Sequence, residues 1–198
     1  MNFHVIIDHP WQKSFNFAVL KTVSETIIEN KHMIDILDLN RETFDPVMRE
    51  EELALYTDGG YLDPKVKEYQ DRLLKADRVI FIFPIWWNVM PVMLKGWMDK
   101  VLLPGFAFTT DQVPAPLLNH IQGATVLTTT GTPDEFHRTE YHNALDNLFC
   151  KGTLEFCGIS PVRWLNFGDT GFTTRENHSQ WLTSVKKVVQ GLCDNESK

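Results

Sequence analysis

The chain has 198 residues, of which 43% are hydrophobic and 23% are charged, and it is long enough to bury the core of one compact domain. Its 19 basic and 26 acidic side chains give a net charge of -7 without any cluster of Lys or Arg, so we expect no nucleic-acid partner. No apolar stretch reaches the length of a membrane-spanning helix, and the first residues lack the features of an export signal. We therefore expect a cytoplasmic protein without membrane insertion.

The three cysteines are consistent with a reducing compartment. Cys150, Cys157 and Cys193 form no CxxC pair, and their odd number cannot complete a set of internal disulfides. Cys150 and Cys157 lie in a segment with helical periodicity, at a spacing that puts both on one helix face. We expect these two to pack in the core, and we assign no metal ligands.

The first half of the chain alternates strands and helices. Residues 3–8, FHVIID, are apolar and β-branched, as in a strand buried on both faces. Apolar residues recur at helical spacing over residues 15–27, and residues 32–39 alternate as a strand near a sheet edge does. Pro64 indicates the start of another helix, because proline is tolerated in the first turn. Residues 78–84, RVIFIFP, are the most strand-like run in the chain.

The second half continues the alternation. The segment VMLKGWMDKVLL predicts a short amphipathic helix, and ATVLTTTG from Ala124 predicts a fourth buried strand. Residues 141–157 have helical periodicity, residues 161–167 favour a fifth strand, and residues 181–192 favour a last helix. This order predicts an α/β fold, an open parallel sheet with right-handed crossovers and helices on both faces, as a single domain over residues 1–198.

Three loops should carry the function, because ligands of such sheets bind beyond the carboxyl ends of the strands. In the first, HPWQKSFN, Ser14 stands at the start of a helix, where it could help to bind a phosphate or act only as a helix cap. In the second, FPIWWNVMP, at least one of Trp86 and Trp87 should lie at a cleft, unless both serve dimer or loop packing. The third, TTTGTPDEFH, offers hydroxyls and Gly131, or only a turn.

These three loops and the block between the last two also carry a resemblance. HPWQKSFN, then ADRVIFIFPIWWNVMPVMLKGWMDKVLLPGFAF, then TTTG, resembles the NAD(P)H:quinone oxidoreductase family, which includes bacterial flavodoxin-like members and ancillary subunits of potassium-efflux systems. The similarity runs in order from the first strand to LEFCG at residues 154–158. It implies a flavodoxin-like sheet of order 2-1-3-4-5, a homodimer, and active sites shared across the dimer interface.

The resemblance also assigns residues to a bound flavin. The residues that match the family's flavin-phosphate loop are His9, Ser14, Phe15 and Asn16. Those that match its isoalloxazine loop are Pro84, Ile85, Trp86, Trp87 and Asn88. Those that match its third flavin loop are Thr129, Thr130 and Gly131. The short stretch between Leu39 and Tyr61 has no room for the longer insertion of the larger members, which favours FMN, with FAD as the alternative.

The segment after Gly131 departs from the family pattern. Larger members have a tyrosine and a histidine there that steady the reduced flavin, whereas this chain reads TPDEFHRTEYHN. Counted from the TTG motif, His137 falls where that tyrosine would be, while Tyr141 and His142 provide the same residue types at another spacing. These three are the candidates for a catalytic proton relay. Histidines on a polar segment are more often solvated, so His137 and His142 also fit a surface position.

The implied activity is transfer of hydride from NAD(P)H to a bound flavin and then to a small acceptor, with both substrates using one pocket. Quinones are the acceptors that the resemblance favours, and flat azo or nitro compounds fit a stacking pocket equally well. Two other functions stay open: a flavin-binding regulatory subunit of a potassium-efflux transporter, and a flavodoxin-like electron carrier. The abundant Trp and Phe over residues 81–108 argue against the open acidic surface of a carrier.

Overall fold

The computed structural model describes residues 1–194 and contains a five-stranded parallel sheet. Its strands follow the order β2-β1-β3-β4-β5, and every neighbouring pair is parallel. The predicted sheet, its order and the edge position of the second strand are confirmed. In chain order the strands are β1 (Asn2–Ile7), β2 (Met33–Asp38), β3 (Arg78–Pro84), β4 (Ala124–Thr129) and β5 (Val162–Phe167).

Helices cover both faces of the sheet, and two short ones were not predicted. Residues 141–157 contain a helix of the π type, Asp146–Glu155, in place of the predicted α-helix. The short helices that the sequence did not indicate are α2 and α5, which are polar and lack an apolar periodicity. The α-helices are α1 (Phe15–Glu29), α2 (Glu50–Leu53), α3 (Pro64–Leu74), α4 (Val92–Val101), α5 (Asp134–Thr139) and α6 (Arg175–Asp194), and a 3-10 turn spans Tyr56–Asp58.

The core has two layers, because successive side chains of a buried strand point to opposite faces of the sheet. On one face, Val5 and Ile82 pack beneath α1 and α6. These two helices run in the same direction. Phe15 at the start of α1 stacks on His178 near the start of α6 at 4.5 Å between ring centroids, and Asn30 after α1 is hydrogen-bonded to Gln190 near the end of α6.

The other layer lies beneath α3, α4 and the π helix. There Phe81 contacts both Trp97 of α4 and Phe149 of the π helix through edge-to-face aromatic pairs. A buried ion pair joins Lys100 of α4 to Glu52 of α2 at 2.7 Å. It fixes the segment between β2 and α3 against α4, the helix that follows the second predicted ligand loop.

The predicted core position of two cysteines is confirmed. Cys150 and Cys157 are both buried, and burial raises the pKa of their thiols to about 12 and about 11, so both are protonated and unreactive at neutral pH. Within residues 1–194, no helix has an apolar stretch long enough to cross a bilayer. The single domain over residues 1–198 stays a prediction, and its last four residues lie outside the described residues.

Candidate functional site at the carboxyl edge of the sheet

Backbone hydrogen bonds bring the three predicted loops to one edge of the sheet. Immediately beyond the strands, the Asp8 N–H donates to the Ile82 carbonyl at 3.0 Å, and the Ile85 N–H donates to the Thr129 carbonyl at 2.8 Å. The Thr130 N–H continues the pairing by donating to the Phe167 carbonyl at 3.0 Å. The loops after β1, β3 and β4 are therefore held side by side at the carboxyl edge, the place where such sheets bind ligands.

The start of α1 presents polar groups without partners. Ser14 occupies the N-cap position of the helix, but its side chain makes no capping bond. Its hydroxyl is buried and has no hydrogen-bond partner within the described chain. The first backbone N–H groups of a helix also lack partners inside the helix, and they carry the positive end of its dipole. This end of α1 can bind an anion.

Asn16 connects this helix to the third loop. Its side-chain amide donates to the Thr129 hydroxyl at 2.9 Å, while its amide oxygen is buried and has no partner among residues 1–194. A buried acceptor next to an unpartnered hydroxyl suits a ligand that carries both an anionic group and hydroxyl groups.

His9 and Phe15, the other members of the first set, take different positions. The Trp11 N–H donates to His9 Nδ1 at 3.0 Å, and burial lowers the pKa of the His9 imidazole, so the ring is neutral at pH 7. The Phe15 ring packs against His178 and Trp181 of α6, in the core layer beneath α1 and α6. Only the backbone of Phe15 is therefore available at the site.

The loop after β3 forms a tight turn that exposes both tryptophans. Trp86 and Val89 exchange two backbone hydrogen bonds, and the two residues between them, Trp87 and Asn88, have φ angles of 50° and 64°. Positive φ at both central residues is the type I′ geometry, which tryptophan rarely adopts. The Trp87 side chain is 96% exposed, and the Trp86 ring meets His9 edge-on at 6.0 Å. Both tryptophans are therefore exposed, and the prediction that at least one of them lies at a ligand cleft stays a prediction.

Pro84 and Ile85 precede this turn and point into the protein. Both side chains are buried, and Ile85 belongs to the core beneath α4. Their contribution to a ligand site is thus limited to the backbone. Asn88, in contrast, is exposed at the tip of the turn.

The third loop leaves open space at its glycine. A Cβ placed on Gly131 would meet no atom within 4 Å, so a ligand can approach the backbone here. The side chains of Thr129 and Thr130 are buried, and the Thr130 hydroxyl donates to the Thr132 carbonyl at 2.6 Å. Its own hydrogen bonds therefore hold the loop in place, and its backbone at Gly131 is open to a ligand.

Of the three catalytic candidates, the structure joins two. His137, on α5, is only 5% exposed, so the surface interpretation of this residue is wrong. Its Nε2 lies 3.0 Å from the Thr132 hydroxyl, and its ring contacts Tyr141 at 5.5 Å between centroids. Burial lowers the pKa of His137, and the nearby Asp134 carboxylate partly opposes this shift. His142 is exposed as expected, and within residues 1–194 no hydrogen bond or ring contact connects its side chain to this pair.

An apolar cavity of about 290 Å³ opens beside the tryptophan turn. Val89 and Met90 of the turn form one wall, Met98 of α4 forms another, and Leu148 and Phe149 of the π helix close it. Asn88 also lines this space, so the cavity is continuous with the turn. Its size and apolar lining suit a small flat ring.

Comparison with known proteins agrees with this arrangement of fold and loops. A model of the flavodoxin-like fold family matches residues 1–189. The chain belongs to this family. Among its relatives is an uncharacterised NAD(P)H oxidoreductase of Escherichia coli, 32% identical over 96% of each chain. NAD(P)H dehydrogenase [quinone] 1 of Cavia porcellus is 26% identical over 96% of this chain and 76% of its own length. A solved NAD(P)H:quinone oxidoreductase from Methanothermobacter marburgensis superposes with a TM-score of 0.88, at 26% identity and with 97% and 96% of the two chains covered.

The resemblance noted in the sequence is thereby confirmed: this flavodoxin-like protein is an oxidoreductase of the NAD(P)H:quinone oxidoreductase family. Its structure adds two residues that the sequence reasoning missed. Thr132 lies between Gly131 and α5, and its hydroxyl contacts the His137 ring. Asp8 is 2% exposed, and its carboxylate accepts hydrogen bonds from the Leu94 N–H at 2.7 Å and from the Asn40 amide at 2.6 Å. The signal for Asp8 was available, since it is an acidic residue directly after the apolar run Val5, Ile6 and Ile7.

Proposed function

We propose that the chain is a flavin-dependent NAD(P)H oxidoreductase that passes hydride to quinone-like acceptors. The observation that carries the proposal is the buried, unpartnered hydroxyl of Ser14 at the uncapped start of α1, beside the third loop. Buried polar groups in folded proteins nearly always have partners, so an orphan at a ligand edge indicates a group that a ligand completes.

The polar atoms at the start of α1 fit the phosphate and sugar-like chain of a flavin mononucleotide. The Ser14 hydroxyl and the first N–H groups of α1 would donate to the phosphate, and the helix dipole favours its negative charge. The free amide oxygen of Asn16 would accept a hydrogen bond from a hydroxyl of the ribityl chain. His9, with its neutral ring, and the Phe15 backbone complete this group.

The aromatic turn and the third loop fit the flat ring of the same cofactor. Trp86 and Trp87 would form apolar walls, and the backbone of Pro84, Ile85 and Asn88 would border the ring edge. Thr129, Thr130 and Gly131 form the opposite side, where the open space at Gly131 allows close approach. A bound flavin would supply the hydride-accepting and hydride-donating chemistry, and the protein would supply orientation and exclusion of water.

His137 would move a proton at this edge. Its imidazole is held neutral by burial, and it contacts the hydroxyl of Thr132, the residue after Gly131. A neutral imidazole can take or give a proton near pH 7 through a hydroxyl. Tyr141 would orient the His137 ring, whereas the exposed His142 would belong to the relay only if the segment moved when a substrate binds.

FMN is the proposed flavin, with FAD as the alternative, and either nicotinamide would serve as the reductant. The apolar cavity beside Val89 and Leu148 supports a quinone-like acceptor, because its walls match an apolar flat ring.

The same region supports a homodimer. Val92, Leu148 and Phe156 are exposed apolar side chains on α4 and around the π helix, and such surfaces commonly mark contacts with another chain. A cytoplasmic location is part of the proposal.

One anaerobic titration tests the core of this proposal. FMN and FAD are added separately to the protein, binding is followed by quenching of flavin fluorescence, and the absorbance is recorded after NADH or NADPH and then a quinone. We expect FMN to bind, its absorbance to be bleached by a nicotinamide, and its colour to return with the quinone. A protein that takes up neither flavin contradicts the proposal. Light scattering on the same sample measures the mass and tests the homodimer.

A further inference from the structure

Asp8 joins three segments at the carboxyl edge. It is the first residue after β1, and its N–H continues the sheet by donating to the Ile82 carbonyl. One carboxylate oxygen accepts from the Asn40 amide, just after β2, and the other accepts from the Leu94 N–H. No other segment of the molecule is needed to fix this carboxylate, since both of its oxygens have partners.

The hydrogen bond from the Leu94 N–H to Asp8 caps α4 with a side chain from the loop after β1. Leu94 is the third residue of α4, so its N–H has no acceptor inside the helix. Pro91, which precedes the helix, offers no side-chain cap. A carboxylate at this end satisfies the free N–H and interacts favourably with the helix dipole.

This cap lies at the end of the tryptophan turn that leads into α4. Residues 85–91 connect β3 to α4, and β3 is fixed by the sheet, so Asp8 holds the other end of the connection. Asp8 is also followed directly by His9, whose ring meets Trp86. A single carboxylate therefore holds together two of the groups that would surround the flavin ring.

The charge of the Asp8 carboxylate is not what stabilises this arrangement. Burial raises the pKa of the Asp8 carboxyl above its usual range, and nearby Asp38 acts in the same direction, while the bonds from Leu94 and Asn40 only partly compensate. Because the charged form is disfavoured in the folded protein, stability falls as pH rises through this raised pKa. A neutral acceptor of the same shape would cap α4 at lower cost.

We propose that Asp8 is a positioning residue for the tryptophan turn: by capping α4 it fixes residues 86–90 relative to His9, and so sets the edge that receives the flavin ring. The proposal rests on the proposed flavin function. Its physical content is a hydrogen-bond geometry, so an isosteric acceptor should preserve it and loss of the acceptor should not.

Two substitutions of Asp8, one control and one substitution of its partner Asn40 test this role. Asp8→Ala removes the acceptor, and Asp8→Asn keeps an oxygen for the Leu94 N–H while the Asn40 amide rotates to present its own oxygen. The matched control is Asp63→Ala, which removes the cap of α3, where Asp63 accepts from the Lys65 N–H at 2.9 Å. If Asp8→Ala does not fold, Asn40→Ala replaces it, because that change frees one side of the carboxylate.

Two readouts are used: the dissociation constant for FMN, and hydrogen exchange of residues 86–94 in flavin-free protein. Asp8→Ala should weaken FMN binding and accelerate this exchange by about tenfold each, Asn40→Ala by about threefold, and Asp8→Asn by less than about threefold. Asp63→Ala should lower the melting temperature without changing either readout.

The role is refuted if Asp8→Ala leaves FMN affinity and exchange at wild-type values, whatever it does to the melting temperature. It is also refuted if Asp8→Asn loses as much as Asp8→Ala, because charge rather than geometry would then be responsible. If the wild-type chain binds neither FMN nor FAD, the proposed function fails, and the exchange of residues 86–94 in flavin-free protein still decides whether Asp8 positions the turn.

Discussion

The starts of two helices, α1 and α4, lie at the same edge of the sheet and are treated in opposite ways. At α1, Ser14 makes no capping bond and its hydroxyl stays unpartnered. At α4, the carboxylate of Asp8, in the loop after β1, accepts a hydrogen bond from the Leu94 N–H. Both helix starts carry the same partial positive charge. At α4 a carboxylate of the protein neutralises it, whereas at α1 no group of the described chain does.

Because of this difference, the site has an anion-binding end at the start of α1 and an apolar end beside α4. The start of α1 remains available for a negative group from outside, while the start of α4 is closed by a charge of the protein itself. What the connection before α4 exposes is therefore aromatic surface, in Trp86 and Trp87. A ligand with a phosphate at one end and a flat ring at the other matches this division.

The largest effect should come from making α1 resemble α4. Ser14→Asp would place a carboxylate at the helix start, cap it, and add about 0.5–1 kcal/mol to stability. The same charge would repel a phosphate, so FMN affinity should fall by about 100-fold or more. Thermal melting and FMN titration measure the two changes.

The control for this prediction is Ser24→Asp, in the middle of the same helix, where the serine hydroxyl is bonded to the Leu20 carbonyl. It should leave FMN affinity unchanged. If Ser14→Asp binds FMN as well as the wild type, the start of α1 is not the phosphate site.

A smaller effect should follow from relaxing the tryptophan turn. Trp87→Gly relieves the positive φ and loses almost no packing, so stability should rise by about 0.5–1 kcal/mol. Loss of the indole should raise KM for the quinone by about tenfold. Steady-state kinetics and melting curves provide the measurements.

Trp87→Phe is the matched comparison, because it keeps a ring and the strained backbone. It should stay within about threefold of the wild-type KM and gain no stability. Equal KM values for Trp87→Gly and the wild type would exclude Trp87 from the acceptor pocket.

The smallest effect concerns the pH dependence of stability. The pKa of His137 is lowered in the folded protein from an ordinary value of 6.5, so below that pH the unfolded chain binds a proton that the folded chain does not. Stability should therefore fall as pH drops from 6.5, and His137→Gln should reduce the fall, with a difference of about 2–4 °C in melting temperature near pH 5.

The control is His142→Asn, at an exposed position with a φ of 49° that asparagine tolerates. Its pH profile of melting should follow the wild type. Superimposable profiles for His137→Gln and the wild type would mean that burial of His137 does not disfavour its charged form.

The sheet was predictable because its signals are local. FHVIID, RVIFIFP and ATVLTT are apolar runs with polar or proline boundaries, and each is a central or near-central strand with buried residues throughout its length or nearly so. Position at the carboxyl edge then follows from topology alone, which is why the three ligand loops could be assigned before any geometry was known.

What could not be predicted depends on contacts distant in sequence. The cap on α4 joins Asp8 to Leu94, and neither residue reveals the other in the sequence. The burial of His137 depends on a short polar helix with no periodicity, and the π form of Asp146–Glu155 cannot be told from an α-helix by its apolar spacing. Tertiary packing decides such features.

The parallel course of α1 and α6 has a practical consequence. The start of α6 lies by Phe15, at the ligand edge, whereas its end lies by Asn30, and a helix of this length spans about 30 Å. Asp194, at the end of α6, therefore lies at the opposite edge of the sheet from the tryptophan turn. A sensor surface or electrode linked to that end would leave the ligand edge facing the solution.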